Sequence, residues 1–433
     1  MPTETLMMKD SKIEWIGEIP NKWNIKKIKH ISNVHSSVRI FEDEYKDQGI
    51  PFFRTKEIVE LANNKEISLE LYISEDKYKT FRSKKVEKGD LLISSIGTIG
   101  EVWISDGRDF WYKDGNITQI DRNPNFVSNY LRYLISSNIF IENIKFYEST
   151  TTISALTIEK IKEVKFPLPD KKEQQAIAVF LDEKCEKIDK VTSEIEGQIQ
   201  VLEDYKKSLI TETVTKGLDK NVPMKDSGID WIGKIPGNWQ IKKIKYLFKV
   251  INGSTPDSDY LDYWDGDITW VTPADMPDFG YISKGERSIT LKGYKSCGTT
   301  LVPSNSIVVS SRAPIGKINI TEDTLCTNQG CKCLVSNNLC NKYYYYFLYS
   351  QKEQLIDAGR GTTFIELSTY ALSNFDALLP PIKIQEQIAD YLDKECKKID
   401  KTISDKKEQL ETIKEYKKSL IYEYVTGKKR VAC

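Results

Sequence analysis

The chain has 433 residues, of which 39% are hydrophobic and 29% are charged, and its 63 basic residues balance its 63 acidic ones. These values are typical of a folded protein and exclude both a disordered chain and a polycation that binds nucleic acid over its whole surface. No apolar run reaches the ~18 residues of a membrane span, and the first residues lack the apolar core of a secretory signal. Eight cysteines without framework spacing indicate free thiols in the cytoplasm.

The chain is a tandem duplication. Residues 8–29 (MKDSKIEWIGEIPNKWNIKKIK) return as residues 224–245 (MKDSGIDWIGKIPGNWQIKKIK), with sixteen of twenty-two positions identical. A second shared block covers residues 177–190 and residues 388–401. Repetition on this scale predicts two copies of one fold. The weaker similarity between the shared blocks predicts that the two copies carry different surfaces.

Each variable region begins with short β-rich runs separated by Gly, Asn and Asp turns. Leu91–Ile96 and Ile307–Ser311 are the strongest candidates for buried strands. Helical composition follows at residues 126–146 and 341–358. Each variable region is therefore predicted to be a mixed α/β domain, which makes the fold class α+β.

A long helix follows each variable region, after Pro167 and after Pro380. Apolar residues recur every seven positions over residues 171–215, or roughly 65 Å, which is typical of a coiled-coil seam. The predicted seam residues are Leu181, Ile188, Ile195, Leu202, Leu209, Leu392, Ile399, Ile413 and Leu420. Lys406 interrupts the second seam. A narrow seam needs a partner, so we predict that the two helices form an intramolecular coiled coil. The heptads leave its direction open, and two unrelated amphipathic helices are the alternative.

These patterns predict a tandem repeat with pseudo-two-fold organisation and four segments. The predicted segments are a first head at residues 1–166, a first long helix at 167–222, a second head at 223–378 and a second long helix at 379–433.

The sequence offers little catalytic chemistry. Gly228 to Lys234 has the glycine and lysine spacing of a phosphate-binding loop, but Ile235 stands where such a loop needs Ser or Thr. Four cysteines cluster within fifteen residues but are not spaced as zinc knuckles: Cys326, Cys331, Cys333 and Cys340. We therefore expect no catalytic residue and no metal or cofactor site in this chain.

Two kinds of residue point instead to DNA. Cations interleaved with aromatic residues suit phosphate contacts, and these candidates are Lys79, Arg82, Lys84, Lys85, Lys292 and Lys295. Polar side chains near equivalent turns suit contacts with base edges, and these candidates are Arg54, Thr55, Lys56, Ser94, Ser95, Thr151, Thr152, Thr272, Asp275, Ser310, Ser311, Arg312, Thr362 and Thr363. The alternative is that the cations form a solvated face and that the polar residues close turns or cap helices.

Taken together, the motifs resemble those of the specificity subunits of type I restriction–modification systems. The resemblance rests on the two Trp-Ile-Gly-x-Ile-Pro-x-x-Trp blocks, on Pro-Leu-Pro and Leu-Pro-Pro before the long helices, and on Lys-Lys-Ser-Leu-Ile near both helix ends. It covers essentially the whole chain.

The resemblance implies two target recognition domains, each reading one half of a split asymmetric DNA site. It implies that the long helices pair antiparallel and set the gap between the half-sites. It also implies that two modification (methyltransferase) subunits dock on the shared regions with S-adenosylmethionine and methylate adenines. A restriction subunit would join to translocate with ATP and Mg²⁺ and to cleave, so this chain itself would bind none of these cofactors.

Two other functions remain open at this point. A self-contained methyltransferase or nuclease would need cofactor or metal motifs that the sequence lacks. A coiled-coil adaptor with protein-binding heads would not need two diverged heads. DNA recognition accounts for the duplication most directly.

Overall fold

The chain forms two units, and each long helix contributes to both. The first unit comprises Met1–Glu196 with Glu408–Cys433, and the second comprises Gly197–Lys407. The computed structural model describes residues 7–81, 85–146, 155–312, 314–336, 338–359 and 366–431. Each unit contains one head.

The first unit opens with the repeated block. Its strands are β1 (Met8–Asp10), β2 (Glu18–Pro20), β3 (Asn24–Lys27), β4 (Val34–His35), β5 (Ile50–Phe53), β6 (Tyr72–Ile73), β7 (Leu91–Ser94), β8 (Val102–Ile104), β9 (Trp111–Tyr112), β10 (Ile117–Ile120) and β11 (Lys165–Leu168). Its helices are α1 (Thr55–Ala62), α2 (Glu75–Thr80), α3 (Ser128–Ile135), α4 (Asn138–Phe146), α5 (Ile158–Glu163) and the first part of α6 (Lys171–Lys216).

The strands of the first head form two sheets. One has the order β4-β10-β7-β8 and is antiparallel, and the other has the order β6-β5-β9, with β5 and β9 parallel. The predicted strand beginning at Leu91 is present, and all four of its residues are buried. Strand β3 pairs with β11, so the two ends of the variable region meet. We call residues 24–168 the first head.

The second unit repeats this order of elements. Its strands are β12 (Met224–Asp226), β13 (Lys234–Pro236), β14 (Gln240–Lys243), β15 (Lys249–Asn252), β16 (Trp264–Val271), β17 (Phe279–Ile282), β18 (Arg287–Ile289), β19 (Ile307–Ser310), β20 (Ile318–Thr321), β21 (Cys326–Thr327), β22 (Cys331–Val335) and β23 (Asp376–Leu379). Its helices are α7 (Ile244–Leu247), α8 (Leu291–Ser296), α9 (Asn341–Ser350), α10 (Lys352–Asp357), α11 (Thr369–Ser373) and the first part of α12 (Ile382–Val425). Strand β14 pairs with β23, and we call residues 240–379 the second head.

One element distinguishes the heads. In the second head the large sheet has the order β15-β22-β19-β20-β17, and its edge strand β17 runs parallel to β20. In the first head the chain forms helix α1 after β5, and α1 packs against β7 and β8. A strand in one head therefore takes the place of a helix in the other, within an otherwise equivalent strand order.

The long helices pair antiparallel, and this can be read inside each unit. In the first unit, Asp189 of α6 lies 2.5 Å from Lys417 of α12, and Glu196 lies 3.7 Å from Lys414. In the second unit, Gln198 of α6 accepts a 2.6 Å hydrogen bond from Lys406 of α12, and Lys206 lies 2.7 Å from Asp400. Within each unit the position on α12 falls as the position on α6 rises, which settles the direction that the heptads left open. The predicted α+β class with an antiparallel coiled coil is confirmed.

All nine predicted seam residues are buried or half-buried. The buried ones are Leu181, Ile195, Leu392, Ile399 and Leu420, and the half-buried ones are Ile188, Leu202, Leu209 and Ile413. Lys406, which interrupts the seam, donates a 2.6 Å hydrogen bond from Nζ to Oε1 of Gln198. Within the described ranges, no helix is both long enough and apolar enough to cross a bilayer.

An equivalent tyrosine–aspartate hydrogen bond, which we call the joint, holds each head against its long helix. Asp182 of α6 accepts a 2.7 Å hydrogen bond from the hydroxyl of Tyr133, and Asp393 of α12 accepts one of 2.8 Å from that of Tyr346. Burial, followed by the bond to the carboxylate, raises the pKa of both tyrosines. Because the joint repeats, each head is held at an equivalent face of its own long helix.

Candidate nucleic-acid interface

Several loops of the first head meet at one end of its sheets. The backbone N–H of Ser95, just after β7, donates to the carbonyl of Asn116 at 2.8 Å, and Leu156 N–H donates to Ser95 O at 2.9 Å. The N–H of Lys113, after β9, donates to Phe53 O at 2.9 Å. The ends of β5, β7 and β9 and the start of β10 therefore lie together.

The second head builds the same end from different residues. Ser311 N–H donates to Gly330 O at 2.7 Å, and Leu367 N–H donates to Ser311 O at 2.9 Å. Asn328 N–H donates to Val271 O at 2.9 Å. These three bonds correspond one to one with those of the first head, so the backbone framework repeats although the side chains change.

We call this region the loop end of each head. It comprises residues 36–39, 54, 95–100 and 113–116 in the first head and residues 253–255, 272–275, 311–312 and 328–330 in the second. Its exposed long or polar side chains are Arg39, Thr98, Lys113, Thr255, Arg312 and Gln329. Arg39 and Lys113 line a cleft of about 540 Å³, and the carboxylates of Glu42, Asp43 and Asp114 line it too. Guanidinium, ammonium, amide and hydroxyl groups are the ones that read base edges in a groove.

Of the predicted base contacts in the first head, Arg54 lies at the loop end because it directly follows β5. Its Nη2 contacts Glu57 Oε1 at 2.7 Å and Glu70 Oε2 at 2.9 Å. The hydrogen bond from Arg54, and then that from Lys56, lowers the pKa of Glu70. Both cations are therefore engaged by carboxylates. The Thr55 hydroxyl is buried and has no hydrogen-bond partner.

The four serine candidates lie inside the heads. Ser94, Ser95, Ser310 and Ser311 each expose 0% of their surface. The Ser95 hydroxyl bonds that of Thr118 at 2.8 Å, and Ser310 Oγ donates to Pro314 O at 2.7 Å. The Ser311 hydroxyl is buried without a hydrogen-bond partner. The four serines pack the ends of β7 and β19, and their contact with DNA stays a prediction.

Thr272 and Asp275 lie at the loop end of the second head, where they close the turn after β16. The N–H and hydroxyl of Thr272 donate to Asp275 Oδ2 at 2.8 and 2.7 Å. The other carboxylate oxygen of Asp275 accepts from Glu286 N–H at 2.8 Å. These three accepted hydrogen bonds hold the Asp275 carboxylate in the turn.

The basic patches lie on α2 and α8 and at Lys85. Helices α2 and α8 follow β6 and β18, which run antiparallel to β5 and β16, so both helices start beside the first residues of β5 and β16. Lys79 is within 4 Å of Glu75 and Asp76, and Lys85 Nζ lies 3.8 Å above the Tyr78 ring. In the second head the exposed candidates are Lys292, 3.4 Å from Asp262, and Lys295.

Six candidates fall outside the described residues: Arg82, Lys84, Thr151, Thr152, Thr362 and Thr363.

Sequence reasoning missed two exposed residues of the loop end, Lys113 and Gln329, and the half-buried Asn116. Lys113 and Asn116 flank an Asp-Gly turn between β9 and β10, and Gln329 precedes Gly330 between β21 and β22. A polar residue beside a Gly turn between two short strands was the available signal. It recurs at the same place in both copies, but the two sequences differ too much to be aligned by identity.

Among the described residues, no group of three or more His, Cys, Asp or Glu side chains is arranged to hold a metal ion.

Comparison with known proteins places this architecture. The family model described as "Type I restriction modification DNA specificity domain" matches residues 20–203 and again residues 236–412. The MjaIX type I restriction enzyme specificity subunit of Methanocaldococcus jannaschii is 39% identical over 187 residues, which is 42% of each chain. The putative MjaX specificity subunit of the same organism is 28% identical over 429 residues, 96% of each chain.

Solved structures show the same fold. One, titled as the structural basis of complex assembly and conformational transition of the type I R-M system, superimposes with a TM-score of 0.75 over 94% of this chain and 99% of the other, at 16% identity. The HsdS subunit of Thermoanaerobacter tengcongensis gives 0.50 over 94% of this chain and 98% of the other, also at 16% identity. Two family domains in tandem cover most of the sequence, and the chain belongs to the type I restriction–modification DNA specificity subunit family.

Proposed function

We propose that the chain is the DNA-recognition subunit of a type I restriction–modification complex and that each head reads one half of a bipartite, asymmetric DNA site. The observation that carries this proposal is the loop end, a backbone framework repeated in both heads with different exposed side chains. A bipartite reader of two unlike half-sites needs this combination. The family membership supports the same role.

We further propose that the loop end faces the DNA. Its exposed side chains differ between heads, with Lys113 and Arg39 in one and Gln329 and Thr255 in the other, as expected for contacts that specify sequence. Lys79, Lys85, Lys292 and Lys295 would then contact phosphates rather than read bases.

We propose that the antiparallel helices set the distance between the half-sites and dock two methyltransferase subunits. The joints at Asp182 and Asp393 repeat in both units, so each unit offers an equivalent face to a copy of one partner. Through these partners a restriction and translocation subunit would join. S-adenosylmethionine, ATP and Mg²⁺ would bind to the partners, the chain itself would be non-catalytic, and the complex would act in the cytoplasm.

The test is adenine-methylation mapping by long-read sequencing of DNA from cells that express this chain with its methyltransferase partner. A single split motif, methylated once on each strand, is expected. Substituting Lys113→Ala with Asn116→Ala should relax one half-site, and Gln329→Ala should relax the other, because a good base contact is worth about 1–3 kcal/mol.

The matched control is Lys79→Ala with Lys292→Ala, which should leave both half-sites intact. A motif that changes with the control and not with the loop-end variants would overturn the assignment of the loop end. A methylation-competent complex that shows no sequence motif would overturn DNA recognition itself and favour the adaptor.

A further inference from the structure

The two long helices carry inverted charges at two repeat-equivalent positions. Residues 177–190 match residues 388–401, and residues 205–210 match residues 416–421, with equal spacing between the two blocks. The alignment of α6 with α12 is therefore fixed along the segment between them. It makes Glu196 of α6 equivalent to Lys407 of α12. It likewise makes Glu203 of α6 equivalent to Lys414 of α12.

These four residues pair across the coiled coil. In the first unit, Glu196 Oε1 lies 3.7 Å from Lys414 Nζ. In the second unit, Glu203 Oε1 lies 3.6 Å from Lys407 Nζ. In both units α6 supplies the glutamate and α12 the lysine. We call these four residues the inner charges.

The inner charges oppose every pairing except that of α6 with α12. Because the two helices share one seam, α6 could pack antiparallel on α6 of a second copy in the same register, and α12 on α12. In an α6–α6 pair the place of Lys414 is taken by its equivalent Glu203, which then faces Glu196. In an α12–α12 pair Lys407 faces Lys414 by the same replacement. Each homotypic pair is two-fold symmetric, so it contains the like-charge contact twice.

Two other ion pairs, Asp189 with Lys417 and Lys206 with Asp400, do not discriminate between helix partners in this way. We call these four residues the outer charges. Replacing α12 by α6 puts Lys206 in the place of Lys417, so Asp189 still meets a lysine. The outer charges hold any antiparallel pairing in register, whereas the inner charges depend on which helices meet.

We propose that the inner charges make the coiled coil selective for α6 with α12 and reject a second copy of this chain as a homotypic partner. All four side chains are about half exposed, between 43% and 60%. Single exposed ion pairs contribute little to stability, but exchanging two homotypic coils for two α6–α12 coils replaces four repulsive contacts with four attractive ones. The selection therefore acts through the sum of the contacts. It involves no DNA and does not depend on the proposed function.

The test is a charge exchange that keeps composition and net charge, Glu203→Lys with Lys414→Glu, in the full chain. It places like charges at both inner pairs between α6 and α12 and opposite charges in both homotypic pairs. We expect the dimer fraction at low salt, measured by mass photometry and by co-purification of two differently tagged copies, to rise about fivefold or more over the wild type. The rise should disappear near 0.5 M salt, since exposed pairs are screened there.

The matched control is the complete reversal, Glu196→Lys, Glu203→Lys, Lys407→Glu and Lys414→Glu, which restores opposite charges between α6 and α12 and should associate as the wild type does. The proposal is overturned if the double variant associates no more than the wild type, or if the complete reversal associates as strongly as the double variant. Should the double variant not fold, Glu196→Gln with Glu203→Gln removes the α6–α6 repulsion together with both α6–α12 ion pairs and leaves the α12–α12 repulsion in place, so a rise in the dimer fraction is still expected. In that case an unchanged dimer fraction overturns the proposal.

Discussion

At the scale of single residues, a glycine just after α12, Gly427, packs against Pro20 and Trp23 of the first repeated block. Gly427 has φ +73°, and a Cβ there would lie 2.5 Å from Pro20 Cγ and Cδ and 2.9 Å from the Trp23 ring. We expect Gly427→Ala to lower the free energy of unfolding by about 3 kcal/mol, since a strained backbone adds to a clash with rigid rings. Chemical denaturation measures the loss.

The matched control is Gly17→Ala in the same unit. Gly17 has a similar φ of +66°, but the nearest atom to its Cβ position is Lys428 Nζ at 3.9 Å. Only the backbone cost of about 1 kcal/mol is then expected. Equal losses for the two variants would show that the contact with Pro20 and Trp23 relaxes.

Three thiols of the second unit are held protonated by burial. It raises the pKa of Cys326 and Cys396 to about 11 and that of Cys333 to about 12. At pH 8 about one in a thousand of the Cys326 and Cys396 groups, and about one in ten thousand of the Cys333 groups, is a thiolate, the reactive form. Alkylation followed by mass spectrometry should therefore be at least about a hundredfold slower in the folded than in the unfolded chain.

The same shifts predict how stability responds to pH. The folded chain retains these protons above pH 9, where the unfolded thiols lose them, so their contribution is complete below pH 9 and declines as the pH rises towards 11. Replacing Cys326 and Cys396 by Ser should flatten the decline in unfolding midpoint between pH 9 and 11. A slope that the variants leave unchanged would place its origin in other groups.

For single residues, the sequence identifies the chemical type of a side chain better than it identifies whether that side chain is buried or exposed. Ser95 and Ser311 have the chemistry of a base contact, yet the packing of the loop end buries them. Lys113 and Gln329 are exposed at the same end because they belong to turns. Which side of a short strand end faces solvent depends on loops that are distant in sequence, and no local pattern encodes it.

At the scale of elements, the heptad repeats predict both long helices correctly. The heptads predicted α6 and α12, whose starts at Lys171 and Ile382 follow the prolines. The exchange of α1 for β17 could not be predicted, since short segments are decided by what the neighbouring sheet edge offers. The coil direction also needed the structure, because seam residues alone fit either orientation.

Helix α6 contains a glycine, Gly197, within its 46 residues. Its conformation is helical, and nothing lies within 4 Å of the position that a Cβ would take. We expect Gly197→Ala to raise the free energy of unfolding by about 0.5–1 kcal/mol, because alanine loses less backbone entropy on entering a helix. Thermal unfolding of the full chain measures the shift.

Gly233→Ala is the matched control with the opposite sign. Gly233 also has open space around its Cβ position, but its φ is +68°, so the same substitution should destabilise by about 1 kcal/mol. Destabilisation by Gly197→Ala would mean that α6 needs a flexible residue at that position.

At the scale of the whole molecule, duplication explains why a recognition chain can evolve two unlike readers on one scaffold. The parts most alike between the copies are the hairpin β1–β2 with its counterpart β12–β13 and the shared blocks of the long helices. The parts that differ are the loop ends and the element between β5 and β6. The sequence predicted this division from the repeat alone, and the structure adds that the shared parts form the joints while the diverged parts form exposed surface.

If the coiled coil sets the spacer, shortening it by one paired heptad should shorten the spacer and nothing else. The antiparallel pairing fixes which residues to remove together: 188–194 from α6 and 412–418 from α12. Seven residues correspond to about 10 Å of helix, or about three base pairs of DNA. Methylation mapping should show both half-sites unchanged around a shorter gap. Removing residues 188–194 alone would shift the register of α6 against α12 and should abolish the methylation motif. Altered half-sites around an unchanged gap would contradict the proposal that the coiled coil sets the spacer.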